Sequence, residues 1–169
     1  MKKSASFSLM IVLSSIFFIQ SCKPEAPVGE EEITTVQLVF NGSQTFTWKD
    51  GSTPDIITLS PLTSYTVEAK FLNENVSPVG DITAEILAED DQHLVCYEIL
   101  GDLALTNFTI ARTDTDGTYE VGLSTQWQTG TAATGQVSIK LRHQPGGIKD
   151  GTCTPGDSDV EILFDLTIQ

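Results

Sequence analysis

The side chains best suited to bind or react are also the scarcest in this chain: two histidines, His93 and His143, and three cysteines, Cys22, Cys96 and Cys153. His93 closely follows Glu89, Asp90 and Asp91. Two imidazoles and a carboxylate on one rim form a ligand set suited to zinc or copper, because imidazole nitrogen and carboxylate oxygen both match such ions. The candidate set for a divalent metal is His93, His143, Asp90 and Asp91. Both histidines are in phase with apolar neighbours at predicted strand ends, so the alternative is a pair of rim histidines satisfied by backbone or water. A His93–Cys96 chelate is disfavoured, since residues three apart on a strand face opposite ways. Asp114-Thr115-Asp116-Gly117 has the opening of a calcium loop, but neither the third acidic ligand nor the closing glutamate follows, and a hairpin turn accounts for it. Trp127, set among Gln126, Gln128 and Thr129, is the candidate for an exposed platform on which a sugar face would stack, with a core aromatic as the alternative.

Larger catalytic signatures are missing. The sequence contains no nucleophile elbow, zinc-protease helix motif, phosphate loop or dinucleotide fingerprint, so the expectation is a protein that is not an enzyme. The 23 acidic residues could include a glycosidase pair, but linear sequence does not reveal a spacing between two carboxylates. Those acids against 9 basic residues give a net charge of −14, which excludes nucleic acid as a partner because phosphate binding needs clustered Lys and Arg. A hydrophobic content of 40% is enough for a core.

The N-terminus reads as an address. Lys2 and Lys3 precede an apolar run over residues 7–19 that is too short to cross a hydrocarbon core of ~30 Å. It has the form of an export signal. Ile19-Gln20-Ser21-Cys22 resembles a bacterial lipobox in the relaxed form of Bacteroidota lipoproteins, which implies cleavage before Cys22 and acylation of that cysteine. The alternative is ordinary secretory cleavage that leaves Cys22 a plain thiol. The expected organisation is a signal peptide at 1–21, an acidic Pro/Glu tether at 22–32 and a single domain at 33–169. Lys23 is not the Asp that retains lipoproteins at the inner membrane, so the resemblance implies anchorage to the outer membrane. Lys23 followed by acids is also similar to the Bacteroidota signal for surface export, although the same charges would simply keep a tether solvated. With Cys22 lipidated, Cys96 and Cys153 remain as an even pair in an oxidising compartment, and a disulfide between them is expected. The alternative is a buried, reduced Cys96 and a free Cys153.

Beyond the tether the pattern has a period of two. Val137, Ile139 and Leu141 alternate with polar residues, as do Val160, Ile162, Phe164, Leu166 and Ile168. Shorter runs at Val36, Leu38 and Phe40, Phe46 and Trp48, Ile57 and Leu59, Tyr65 to Phe71, Phe108 and Ile110, and Tyr119, Val121 and Leu123 behave likewise. Asn41-Gly42, Asp50-Gly51, Asp116-Gly117 and Thr129-Gly130 supply turns between them. Residues 82–100 read as two strands around 89–92 in preference to one poorly patterned helix. The fold class is all-β, an immunoglobulin/fibronectin III-like antiparallel sandwich of about eight or nine strands with the topology left open.

Two resemblances add to this. Leu59-Ser60-Pro61-Leu62-Thr63-Ser64-Tyr65 resembles the tyrosine corner of fibronectin type III domains, which implies a tyrosine hydroxyl bonded back to upstream backbone. Across residues 36–169, Asp81-Ile82-Thr83, Glu85-Ile86, Asp91-Gln92-His93, Leu141-Arg142-His143 and the run from Phe164 to Gln169 resemble a family of uncharacterised Bacteroidota outer-membrane lipoproteins. Members often carry a type 1 periplasmic-binding label, and some are encoded beside TonB-dependent receptors. The resemblance implies a lipid-anchored extracytoplasmic binding or accessory module that supports TonB-dependent uptake of a nutrient or metal, with the receptor and a small ligand or glycan as partners. Its rivals are a structural or adhesive cell-surface protein and a carbohydrate-binding module. The bilobal periplasmic fold alternates strands and helices, whereas the periodicity here is that of strands.

Overall fold

The computed structural model describes residues 32–114 and 119–169. The signal segment, Cys22, the tether as far as residue 31 and the Asp116-Gly117 turn lie outside the described residues. Ten strands form: β1 (Thr35–Phe40), β2 (Gln44–Lys49), β3 (Ile57–Leu59), β4 (Ser64–Asn73), β5 (Gly80–Asp81), β6 (His93–Gly101), β7 (Thr109–Arg112), β8 (Ser124–Gln128), β9 (Ala133–His143) and β10 (Asp157–Ile168). A helix, α1 (Ile82–Ala88), precedes β6, and a 3-10 turn at Asp102–Leu105 follows it.

Alternation builds these strands as the sequence suggests. In β10, Ile162, Phe164, Leu166 and Ile168 are buried while Glu161, Leu163 and Asp165 stay exposed. Burying one row of apolar side chains yields about 25 cal/mol per Å² of surface removed from water, and this happens only when a second sheet covers that row. The two sheets have the orders β2-β1-β4-β8-β7, with β5 paired to β4, and β3-β10-β9-β6. Together they make an all-β sandwich. Its facing rows include Val36, Leu38, Val67 and Phe71 from the first sheet and Val137, Ile139, Phe164 and Leu166 from the second. The β1–β2 hairpin turns through Asn41 and Gly42 at φ values of 48° and 69°, the left-handed pair that matches the twist of the flanking strands.

The structure departs from the sequence reading in several places. The strand pairs are not all antiparallel, because β3 runs parallel to the C-terminal half of β10 with Ile57 beside Leu166. Residues 82–88 form α1 and not a strand; Ile82 and Ile86, four apart, bury one side of a short helix and leave Glu85 and Leu87 exposed. Tyr119, Val121 and Leu123 form no strand. Val121 and Leu123 are nevertheless buried, and their carbonyl oxygens accept hydrogen bonds from the amides of Val95 and Ala69, so this segment bridges the two sheets. The strand at Ser124–Gln128 supplies an additional element.

The tyrosine corner has a direct physical counterpart. The Ser60 amide donates to the Tyr65 hydroxyl at 2.9 Å as the chain crosses from β3 to β4. Tyr65→Phe removes the acceptor and keeps the ring. The expected loss is about 1 kcal/mol in urea unfolding, with an unchanged m-value.

Tyr97 of β6 donates its hydroxyl to the Gly122 carbonyl at 2.8 Å. Burial, reinforced by the nearby Asp114 carboxylate, pushes its phenol well above the ordinary value of 10.0. Above about pH 10 the unfolded chain has released a proton that the native state still holds, so stability falls as pH rises, by up to about 1.4 kcal/mol per pH unit. Tyr97→Phe is expected to lose the hydrogen bond and also this alkaline slope. Urea midpoints measured for both proteins from pH 9 to 11 check it, and parallel curves would contradict it.

The sandwich has two unlike ends. Thr35, where the N-terminal segment enters β1, lies between Lys49 and Leu72. Residues 89–92 and 144–156 connect strands at this same end. The opposite end carries the connections at residues 41–43, 60–63, 102–108 and 129–132.

Candidate functional site

His93 begins β6 and His143 ends β9, and the two face each other as cross-strand partners. Their rings stack with centroids 4.8 Å apart and planes 8° from parallel. The carboxylates beside His93 are Glu89, 3.6 Å from Nδ1, and Asp159, 3.9 Å from Nε2. Asp90 and Asp91 are not these neighbours; the Asp90 backbone oxygen instead accepts from the Lys149 ammonium. An imidazole donates its lone pair in the ring plane, and two stacked, near-parallel planes do not share one ion. The structure thus brings His93 and His143 together with Glu89 and Asp159 nearby and without Asp90 or Asp91, and among the described residues no group of three or more His, Cys, Asp or Glu side chains is arranged to hold a metal.

Trp127 occupies the inward phase of β8 and is 0% exposed. Phe40 and Phe108 pack on it at centroid distances of 5.1 and 5.6 Å, and its indole N–H donates to Thr125 Oγ1 at 2.8 Å. A sugar face cannot reach it. The polar neighbours that suggested exposure, Gln126 and Gln128, alternate with it and take the outward phase of the strand. Asp114 likewise has a structural role: its carboxylate accepts the amides of Gly122, Leu123 and Ser124 at 2.9, 2.6 and 3.3 Å and thereby closes the β7–β8 connection.

Cys96 and Cys153 are joined by a disulfide, with sulfurs 1.99 Å and Cα atoms 6.0 Å apart. Cys96 and Leu94 are buried although neither belongs to the main core. The β9–β10 loop, residues 144–156, is drawn onto this face by the bridge. Arg142 reinforces it by donating to Ser158 Oγ and to the carbonyls of Thr154, Pro155 and Gly156. Fully buried Gln144 donates to the carbonyls of Thr152 and Pro155. Lys149 is also buried, and desolvation holds its ammonium below its ordinary range. These groups give the end nearest the N-terminal segment a fixed cover.

A groove of about 480 Å³ opens on the outer face of the β3-β10-β9-β6 sheet. Two glycines lie in its floor. The chain leaves β6 at Gly101 with φ of 70°, and Gly101 faces Gly135 across the β6–β9 pair. A Cβ on Gly135 would stand 2.3 Å from the Leu100 carbonyl oxygen and 3.0 Å from Leu103, the residue that the 3-10 turn buries in the core. The turn therefore requires glycine at this point, where Leu103 packs against the inner side of the sheet. Thr134 and Gln136 of β9 lie opposite Thr167 and Asp165 of β10 and line the groove, with Gln136 Nε2 donating to Asp165 Oδ1 at 2.9 Å. Ile56, 63% exposed, supplies an apolar wall. Sequence reasoning passed over all of these residues. The available signal was Gly135 standing within a strand pattern, the mark of a close backbone approach.

Comparisons with protein-family models, curated proteins and solved structures find nothing that matches this chain. No helix among the described residues is long and apolar enough to cross a membrane.

Proposed function

We propose that the chain is a lipid-anchored, extracytoplasmic binding module at the outer membrane, an accessory to TonB-dependent uptake. One observation carries this reading: the polarity of the sandwich. The N-terminal segment joins beside Lys49 and Leu72, whereas the groove lies in the half of its sheet where β6 ends, β9 begins and β10 finishes. A domain hung from acylated Cys22 by the acidic residues 22–32 would hold that groove away from the bilayer. Self-repulsion among Glu30, Glu31 and Glu32 would favour reach in such a tether. A volume of about 480 Å³ falls within the ~300–1,000 Å³ typical of small-molecule sites.

A second reading, as a structural or adhesive surface protein, is favoured by Leu62 and Leu105, which are 73% and 85% exposed at the far end. Two measurements separate the readings. Mass spectrometry of membrane-extracted protein should find acyl chains on Cys22, and Cys22→Ser should release the protein from the membrane fraction. A ligand-binding module should also show a melting temperature that climbs with the concentration of a small ligand, corresponding to a stabilisation of about 2.7 kcal/mol at one hundred times Kd. Acylation without any such rise would favour the adhesive reading, and an unmodified, freely soluble N-terminus would end the anchored one.

A further inference from the structure

We propose that the groove over Gly101 and Gly135 binds a neutral, hydroxyl-rich ligand of the glycan class. This deepens the binding-module reading above and depends on it.

The polar groups of the groove form a grid. Register pairs Asp165 with Gln136 and Thr167 with Thr134. Partners across the strands have Cβ atoms ~5 Å apart, and residues two along a strand are ~6.7 Å apart, so the four side chains bracket an area the size of one sugar ring. Between Gln136 and Asp165 one amide N–H meets one carboxylate oxygen. The second carboxylate oxygen and the Gln136 carbonyl remain as acceptors for ligand O–H groups, while the threonine hydroxyls both donate and accept. A vicinal diol matches this arrangement, because each of its hydroxyls also donates and accepts.

Charge narrows the class further. Asp165 within the groove and the net charge of −14 both oppose an anionic ligand. Among the described residues Asp165 is the only ionisable side chain lining the groove, and three of the four polar groups are neutral, which favours an uncharged polyol over a polycation. Ile56 offers its side chain to the C–H face of a ring.

The test is titration of the full-length protein with a panel of neutral oligosaccharides by calorimetry, alongside acidic sugars and polyamines. Wild type is expected to bind at least one neutral glycan saturably. Asp165→Ala and Gln136→Ala should each weaken that binding at least tenfold with the melting temperature preserved, and Glu68→Ala on the other sheet should not. Absence of neutral-glycan binding, or binding indifferent to both groove variants, overturns the proposal. If polyamines or acidic sugars bind instead and the groove variants abolish that binding, the glycan assignment fails while the binding-module reading stands. If no probe binds a fully folded protein, the module reading fails with it.

Discussion

Reduction of the Cys96–Cys153 disulfide should cost the protein about 4 kcal/mol. The bond closes a span of 57 positions, and the chain-entropy relation for a loop of that length gives this figure at 25 °C. For a domain of this size the melting temperature would fall by roughly 8 to 16 °C. The Cys96→Ala, Cys153→Ser double variant should behave like the reduced protein, with a larger m-value because an uncrosslinked denatured chain exposes more surface. The loss should fall first on the covered end. Arg142 and Gln144 still bond the loop carbonyls, but those bonds no longer have a covalent partner that limits the excursions of residues 144–156. Urea unfolding with and without reductant measures the effect. A midpoint that reductant leaves in place, or two thiols titrating in the unreduced, unfolded protein, would refute it.

Trp127→Ala is expected to be about as severe, at roughly 3 to 5 kcal/mol. The indole is the largest fully buried side chain, and its removal leaves Phe40, Tyr97 and Phe108 facing a void between the sheets. It also takes from buried Thr125 Oγ1 the indole N–H that it accepts, leaving only its own donation to the Val67 carbonyl at 3.3 Å. Trp48 provides the internal comparison: it lies on β2 and is only partly buried, so Trp48→Ala should cost clearly less. Fluorescence distinguishes the two sites, since a Trp48→Phe protein retains only the Trp127 indole, which should emit at the blue end of the tryptophan range. Equal costs for the two truncations would be inconsistent with the core described above.

Legibility in the sequence followed amphipathic length. β9 and β10 repeat an apolar residue at every second position for most of their length, which a helix cannot imitate, and both were readable. Ile82 to Ala88 was not. In a segment that short, the spacing of Ile82, Ala84 and Ile86 satisfies a period of two, while Ile82 and Ile86 alone satisfy one of 3.6, and only packing against β4 decides. β8 was missed for a different reason: its inward residues are Thr125 and Trp127, and a buried threonine looks polar until its carbonyl partner is known. The histidines were legible as neighbours through their phase at two strand ends, but their ring planes depend on side-chain rotation that no spacing encodes. The groove was hidden further still. It arises from a register that brings Thr134 and Gln136 of β9 beside Thr167 and Asp165 of β10.

The parallel pairing of β3 with β10 also imposes an order in time. A chain emerging N-terminus first, from a ribosome or through a narrow channel, delivers Ile57 long before Leu166, so β3 must wait for nearly the whole domain to follow. β9 has the same dependence, since one of its two flanking neighbours is β10. β1, β2 and β4 can pair sooner, yet Val36, Leu38 and Phe71 then face water with no second layer to rest upon. Distant pairing carries a loop-closure cost before contacts repay it, which makes closure slow. The topology thereby works as a timer: the sandwich shuts only once residues 157–168 are available to pair.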